Sequence, residues 1–188
     1  VAVGSSVNSS YRDLMVVAKA LKGKHVAPGL HMTLSPGSRQ ILINIMNTGA
    51  FKDLMEAGVR ALEVACGPCI GMGAAPPSFG NSVRTFNRNF KGRSGTEDDR
   101  VWLCSPETAV ATAIYGKITD PRKLGDPPKV EEPEEYELYT ADFLQPAKNG
   151  EKVEVLRGPN IVPPPPAQPV PDRLEGEVLL ALGDNIST

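Results

Sequence analysis

The chain has 188 residues, of which 40% are hydrophobic and 22% charged, a balance typical of a soluble globular domain with an appended segment. A formal net charge of −2 argues against nucleic acid as a partner, and the absence of a long apolar run argues against a membrane. Three cysteines, two of them spaced C-x-x-C, do not suit a secreted disulfide framework, so we expect a reducing compartment, the cytoplasm.

Strand-like and helix-like segments alternate along residues 1–116. Strands are predicted at 1–6, 31–34, 61–65, in the segment leading through Arg84, and at 101–104. Helices are predicted from Ser9 or Ser10 to Leu21, from Ser38 across 41–46, over 51–57, and from Ser105 to Tyr115. The alternation predicts an α/β domain with a layered, mainly parallel sheet flanked by helices, with function in the loops beyond the carboxyl ends of the strands.

The character of the chain changes after Gly116. Residues 117–137 are rich in Pro, Lys and Glu, and 139–156 could hold a small helix or hairpin; 117–157 as a whole is predicted to be an irregular extension. Residues 158–176, which include four consecutive prolines at 163–166, predict a semi-rigid linker; an SH3-type ligand is the alternative, but a linker needs no partner. Residues 177–188 would begin a further, truncated domain, so we expect this chain to be a fragment of a longer protein.

The glycine-rich loop Cys66-Gly67-Pro68-Cys69 directly follows a predicted strand. Two thiols at this spacing can hold one metal or cluster, form a redox pair, supply half of a zinc site, or lie buried as structural thiols. The glycines and prolines that follow oppose the helix that a redox motif normally opens. Cys104 lies in an apolar strand, where it is expected to act as a small buried hydrophobe.

A second loop, 87–95, carries Arg88 and Arg93. Two guanidinium groups spaced around Gly92 can present planar donor forks to carboxylates. Alone, the loop fits an ordinary solvated basic loop equally well. Its value as a signal comes from its combination with the thiol loop upstream.

Together, C-G-P-C-I-G and N-R-N-F-x-G-R resemble the corresponding motifs of the aconitase superfamily. The resemblance covers residues 1–116, and residues 183–188 look like the opening of the family's C-terminal swivel domain. Because that opening follows a linker in the same chain, the resemblance favours the aconitase branch over isopropylmalate isomerases, in which the domain is usually a separate chain.

The resemblance implies a [4Fe–4S] cluster that acts as a Lewis acid in reversible dehydration of citrate to isocitrate through cis-aconitate. It implies cluster ligation by Cys66 and Cys69, with Asn87 at the cluster edge and Arg88 and Arg93 on the substrate carboxylates. The implied partners are a tricarboxylate substrate and the remaining domains of the parent chain. The family's catalytic serine base and histidines match no position here, so we expect no catalytic residue in this chain and no activity from it alone.

One departure weakens this implied site. The family's third cluster cysteine stands in a G-S-C-T-N-S motif, whereas residues 4–9 read G-S-S-V-N-S, with Ser6 at the cysteine position, Val7 after it, and Asn8 retained near the cluster. A serine hydroxyl is a poor iron ligand, so the cluster is expected to be absent or unstable. The hypotheses are therefore a fragment of an aconitase-like hydro-lyase, a cluster-free or altered-substrate paralogue, and a regulatory binding protein.

Overall fold

The computed structural model describes residues 1–4, 7–184 and 186. The predicted ligand position Ser6 therefore lies outside the described residues. The chain divides into two compact units, 1–144 and 145–188.

The first unit contains a sheet of five strands, all parallel, in the part of the chain that the structure describes. In chain order the strands are β1 (Ala2–Val3), β2 (Thr33–Leu34), β3 (Arg60–Ala61), β4 (Asn81–Arg84) and β5 (Arg100–Leu103). Their spatial order is β3-β2-β1-β4-β5. The helices are α1 (Tyr11–Leu21), α2 (Arg39–Asn47), α3 (Ala50–Glu56) and α4 (Pro106–Tyr115). The predicted α/β class with a parallel sheet is confirmed; β2 and β3 are shorter than the strands predicted at 31–34 and 61–65, whereas β5 has the predicted length, shifted by one residue.

All four of these helices contribute to one hydrophobic core against one face of the sheet. Val3 and Leu34 point to that core, and α1 fills its centre with Leu14, Val17 and Leu21, each fully buried. The helix begins where the sequence predicts: the Ser10 side chain accepts from the Asp13 backbone N–H, and Asp13 reciprocates in a capping box. Burial of α1 on several sides follows from its contacts with the other helices.

The opposite face of the sheet is covered by a loop instead of a helix. Ala2 and Arg84 pair in register across β1 and β4, so their side chains leave the sheet on the same face. There Ala2 packs with Cys69 and Phe86 in a second, smaller buried cluster. The chain between β3 and β4, which carries the C-x-x-C motif, therefore forms the second layer of the domain.

Residues 117–144 have little regular structure but pack on the helices. A short 3₁₀ helix spans Pro121–Leu124, Arg39 forms an ion pair with Asp142 at 2.6 Å, and Asn44 Nδ2 donates to the Glu137 carbonyl at 3.0 Å. In the second unit, apart from a 3₁₀ helix at Gly150–Lys152 and turns such as those at 148–149 and 159–160, the described residues have no regular secondary structure and are exposed, including the prolines at 163–166. None of the helices in the described residues has the length and apolarity needed to cross a bilayer.

Candidate functional site

The strand order creates a crevice beside β1. After β1 the chain forms β2 and β3 on one side of β1, and it then crosses back to form β4 and β5 on the other side. The loops that follow β1 and β4 therefore run in opposite directions from two neighbouring strands. Ligands of open parallel sheets bind at such a switch point, beyond the carboxyl ends of the strands. The loops that leave β1 and β4 here are the two that carry Asn8 and the predicted arginines.

Hydrogen bonds tie these two loops together. The Gly4 backbone N–H donates to Thr85 Oγ1 at 2.9 Å, and the Thr85 hydroxyl donates to the Gly4 carbonyl at 2.6 Å. Asn8, predicted to lie near the cluster, donates from Nδ2 to the Thr85 carbonyl at 2.5 Å. The Asn8 amide therefore spans the crevice between the loops and fixes their separation.

The C-x-x-C loop brings its two thiols into contact. Cys66 Sγ and Cys69 Sγ lie 2.8 Å apart, and the Cys69 thiol also donates to the Cys66 carbonyl at 2.9 Å. Cys66 is exposed and directly precedes a 3₁₀ helix over Gly67–Ile70, in which Cys69 is buried. Burial raises the pKa of the Cys69 thiol, and its hydrogen bond with Cys66 raises that pKa further.

Arg84 holds this loop from beneath, a role that sequence reasoning missed. Its side chain is 1% exposed, and its guanidinium donates to the carbonyls of Pro68 at 2.8 Å and Ala74 at 2.7 Å and to Ser82 Oγ at 2.7 Å. All three acceptors are neutral oxygens. Burial lowers the pKa of Arg84, since a charged group is less stable out of water.

Of the predicted carboxylate-binding residues, Arg93 lies against the thiol loop. Its Nη2 is 3.7 Å from Cys69 Sγ, and its guanidinium lies over the Phe90 ring at 6.0 Å. Arg88 and Asn87 are exposed on the same loop. Within the described ranges, the ion pairs do not include Arg88 or Arg93, so both charges are available to an anion.

Phe86 packs between the Gly4 backbone of the sheet and the C-x-x-C loop. It is 1% exposed and packs on Cys69 and Ala2. A methyl group added at Gly4 would lie only 2.4 Å from Phe86 Cζ, so the ring tip rests directly on the backbone that leads out of β1. The ring therefore lies between the end of β1 and the buried thiol of Cys69.

Cys104 does not supply a further thiol to this site. It is half-buried and packs on the helix-side core, whereas Cys69 belongs to the cluster on the opposite face. Burial raises the pKa of Cys104 to about 11, in keeping with the buried hydrophobe expected from the sequence. With a serine at position 6 and Cys104 on the other face, Cys66 and Cys69 supply two thiols, which do not match the three-thiolate donor set of a [4Fe–4S] cluster. We therefore assign no chemical step to a cluster in this chain.

This geometry defines an α/β domain with a five-stranded parallel sheet, in which a thiol loop and an arginine loop meet at the switch point. Residues 1–116 match the model of the Aconitase family (aconitate hydratase), and the chain belongs to that family. It is 34% identical over 189 residues to mitochondrial homoaconitase of Debaryomyces hansenii, an alignment that covers 98% of this chain and 26% of that protein.

Other relatives are described as large subunits of dehydratases. The chain is 42% identical to the 3-isopropylmalate dehydratase large subunit of Clostridium botulinum, over 64% of this chain and 29% of the relative. It is 40% identical to the 2,3-dimethylmalate dehydratase large subunit of Eubacterium barkeri, over 66% of this chain and 30% of the relative. The chain thus spans between a quarter and a third of the length of these curated relatives.

Proposed function

We propose that this chain is the carboxylate-binding domain of an aconitase-family hydro-lyase. The observation that carries the proposal is the position of Arg93, whose guanidinium reaches the C-x-x-C loop while remaining free of any acidic partner among the described residues. Asn87 and Arg88 stand on the same loop and extend the donor set toward solvent. Planar guanidinium donors of this kind bind carboxylates in bidentate fashion.

For the substrate, we propose a hydroxy-tricarboxylic acid, with citrate and isocitrate as the interconverted pair and cis-aconitate between them. The alignment with homoaconitase extends across nearly the whole chain, including 117–188, whereas the dehydratase large subunits align over about two thirds of it. This difference supports an arrangement in which a C-terminal domain continues in the same chain. The domain limits 1–116, 117–157, 158–176 and 177–188 remain part of this proposal.

The proposed parent protein completes the site with its other domains. Exposed apolar side chains on the edge strand β5, Trp102 and Leu103, are suitable for contact with such domains. We propose that the general base comes from them, because the described crevice residues Asn8, Asn87, Arg88 and Arg93 carry amides and guanidinium groups, which are hydrogen-bond donors and not general bases. The cytoplasmic location suggested by the sequence stays a prediction. The homoaconitase relative does not support it, because that protein is described as mitochondrial.

The proposal is tested with the full-length protein. Formation of cis-aconitate from citrate or isocitrate is followed by its absorbance, with 2-isopropylmalate as a competing substrate. Binding is measured separately by calorimetry with tricarballylate, which carries three carboxylates and no hydroxyl to eliminate. We expect both binding and turnover with the tricarboxylates, and absence of tricarballylate binding would refute the carboxylate site itself.

A second candidate is a cluster-free paralogue that keeps the anion site without the hydro-lyase reaction. It is favoured by Phe86, which occupies the space between Cys69 and the β1 loop, and by Ser6 at the third ligand position. For this candidate we expect tricarballylate to bind with no turnover of citrate, isocitrate or 2-isopropylmalate, even after anaerobic treatment with iron and sulfide. Turnover after that treatment would eliminate it.

A further inference from the structure

We propose that Cys66 and Cys69 form a thiol–disulfide couple that exchanges with a low-molecular-weight disulfide such as oxidised glutathione. The two sulfur atoms lie 2.8 Å apart with both cysteines free, so the two thiols are in direct contact. The inference is independent of the proposed carboxylate binding, because it concerns the thiols and not the arginines' ligand.

The two thiols differ in exposure, which assigns their roles. Cys66 is exposed and can be reached by a small disulfide, whereas Cys69 is 6% exposed and packs on Ala2 and Phe86. Only Cys66 can therefore begin an exchange with an external disulfide, and only Cys69 stands close enough to finish it. An exposed attacking thiol beside a buried resolving thiol is the division of work that a C-x-x-C pair requires.

The fold holds the thiols at this separation. Arg84 fixes the loop on both sides of Cys69 through the carbonyls of Pro68 and Ala74. Farther along, Gly71 lies so close to the 94–95 backbone that a Cβ on it would stand 2.2 Å from the Ser94 carbonyl oxygen, and its φ of +91° favours glycine. Because little loop entropy is left to lose, closing the disulfide within the loop is favoured over keeping a mixed disulfide.

The exchange balances in two steps. The Cys66 thiolate attacks one sulfur of the external disulfide, forming a mixed disulfide and releasing one small thiol. The Cys69 thiolate then attacks Cys66 Sγ, forming the Cys66–Cys69 bond and releasing the second small thiol. The protein loses two protons and two electrons, and the external disulfide takes both; the positive charge of Arg93, 3.7 Å from Cys69 Sγ, stabilises the second thiolate.

The alternative fate of the pair is metal ligation. No group of three or more His, Cys, Asp or Glu side chains placed to hold a metal ion occurs within residues 1–4, 7–184 and 186. Cys104 lies with the helix-side core, on the other face of the sheet from Cys69. Among the described residues, each of these two thiols therefore has the other as its nearest thiol. Two thiols in this arrangement can oxidise to a disulfide.

To test the proposal, the full-length protein is equilibrated with mixtures of reduced and oxidised glutathione and quenched with acid. The remaining free thiols are then alkylated, and the peptides are mapped by mass spectrometry. We expect a Cys66–Cys69 disulfide, seen as the loss of two hydrogens, to predominate in the oxidising mixtures and to disappear in the reducing ones. Cys104 is the internal control and stays alkylatable after denaturation throughout. Both thiols remaining free in every mixture, or a cluster found on them in the purified protein, would overturn the proposal.

Two variants separate the roles. In Cys69→Ser, Cys66 is expected to stop at a stable mixed disulfide with glutathione, because the resolving thiol is gone. In Cys66→Ser, the buried Cys69 is expected to remain a free thiol at the same oxidant concentration. A mixed disulfide that persists on Cys66 in the unsubstituted protein would show that Cys69 does not resolve it, and it would refute the couple without reliance on either variant.

Discussion

At the residue scale, Arg88 and Arg93 carry the proposed affinity for carboxylates. Each guanidinium–carboxylate hydrogen bond contributes about 1.5–3 kcal/mol, so Arg93→Ala or Arg88→Ala should weaken tricarballylate binding roughly 10- to 100-fold. Calorimetry of the full-length protein measures the change.

The matched control for this prediction is Arg100→Ala. Arg100 is also exposed but begins β5, at the opposite end of the strands from the crevice. Its removal should leave the dissociation constant unchanged, since a surface charge at that distance is largely screened. Equal weakening by Arg100→Ala would mean that net charge, and not the 87–95 loop, attracts the ligand.

Arg84 makes a different contribution, to the stability of the thiol loop. Arg84→Ala removes two buried hydrogen bonds and one partly buried one, and it leaves the Ala74 carbonyl without a donor among the described residues, so we expect a loss of about 3 kcal/mol in the free energy of unfolding. Urea denaturation measures it. Arg60→Ala is the control, because Arg60 also donates to this loop, at the Gly73 carbonyl, but from an exposed position.

For Arg60→Ala the expected loss is about 0.5 kcal/mol or less, the usual effect of an exposed side chain. Comparing the two variants separates the effect of the arginine's burial on stability from the effect of its hydrogen bonds to the loop. Similar losses for the two variants would contradict the view that Arg84 is the internal support of the C-x-x-C loop.

At the element scale, local signals placed the helices well. Ser10, Ser38 and Ser105 cap α1, α2 and α4 as predicted, because a cap depends on a side chain and a backbone N–H only three residues apart. The strands were located, but those predicted at 31–34 and 61–65 were too long, whereas the one predicted at 101–104 has the observed length. A strand ends where its neighbour in the sheet ends, and that partner lies far away in the sequence.

The capping box of α1 provides an element-scale prediction. Ser10→Ala removes the acceptor for the Asp13 N–H, and it should lower the free energy of unfolding by about 1 kcal/mol, as measured by urea denaturation. Ser78→Ala, at an exposed loop serine, is the control and should change it by no more than a few tenths. An unchanged value for Ser10→Ala would show that tertiary packing alone determines where α1 begins.

At the scale of the whole molecule, binding of an iron–sulfur cluster would depend on residues from three loops. From the sequence alone, Ser6→Cys with Val7→Thr should restore an iron–sulfur cluster. The structure adds Phe86, whose ring lies on Cys69 and on the Gly4 backbone. We therefore expect the double variant to retain little iron and sulfide after anaerobic reconstitution, and the triple variant with Phe86→Ala to retain clearly more, measured by iron and sulfide content and visible absorbance.

Phe79→Ala in the same double-variant background is the control, since Phe79 is 68% exposed in the loop before β4. It should leave the iron content as low as in the double variant. A full complement of iron and sulfide in the double variant alone would show that Phe86 moves aside, and that residue 6 by itself decides whether a cluster binds.

The sequence by itself determined the α/β class, the helix starts, the family and the two loops that bear function, because these follow from short-range periodicity, capping and compact motifs. Only the tertiary structure decided which contacts form between those loops. Arg84 donates to backbone carbonyls of the thiol loop, Arg93 lies beside Cys69, and Phe86 packs against Gly4. Each of these contacts joins residues brought together only when β1, β3 and β4 align in one sheet. Spacing along the chain carries no information about such distances, which is why the thiol pair could be recognised from the sequence but its surroundings could not.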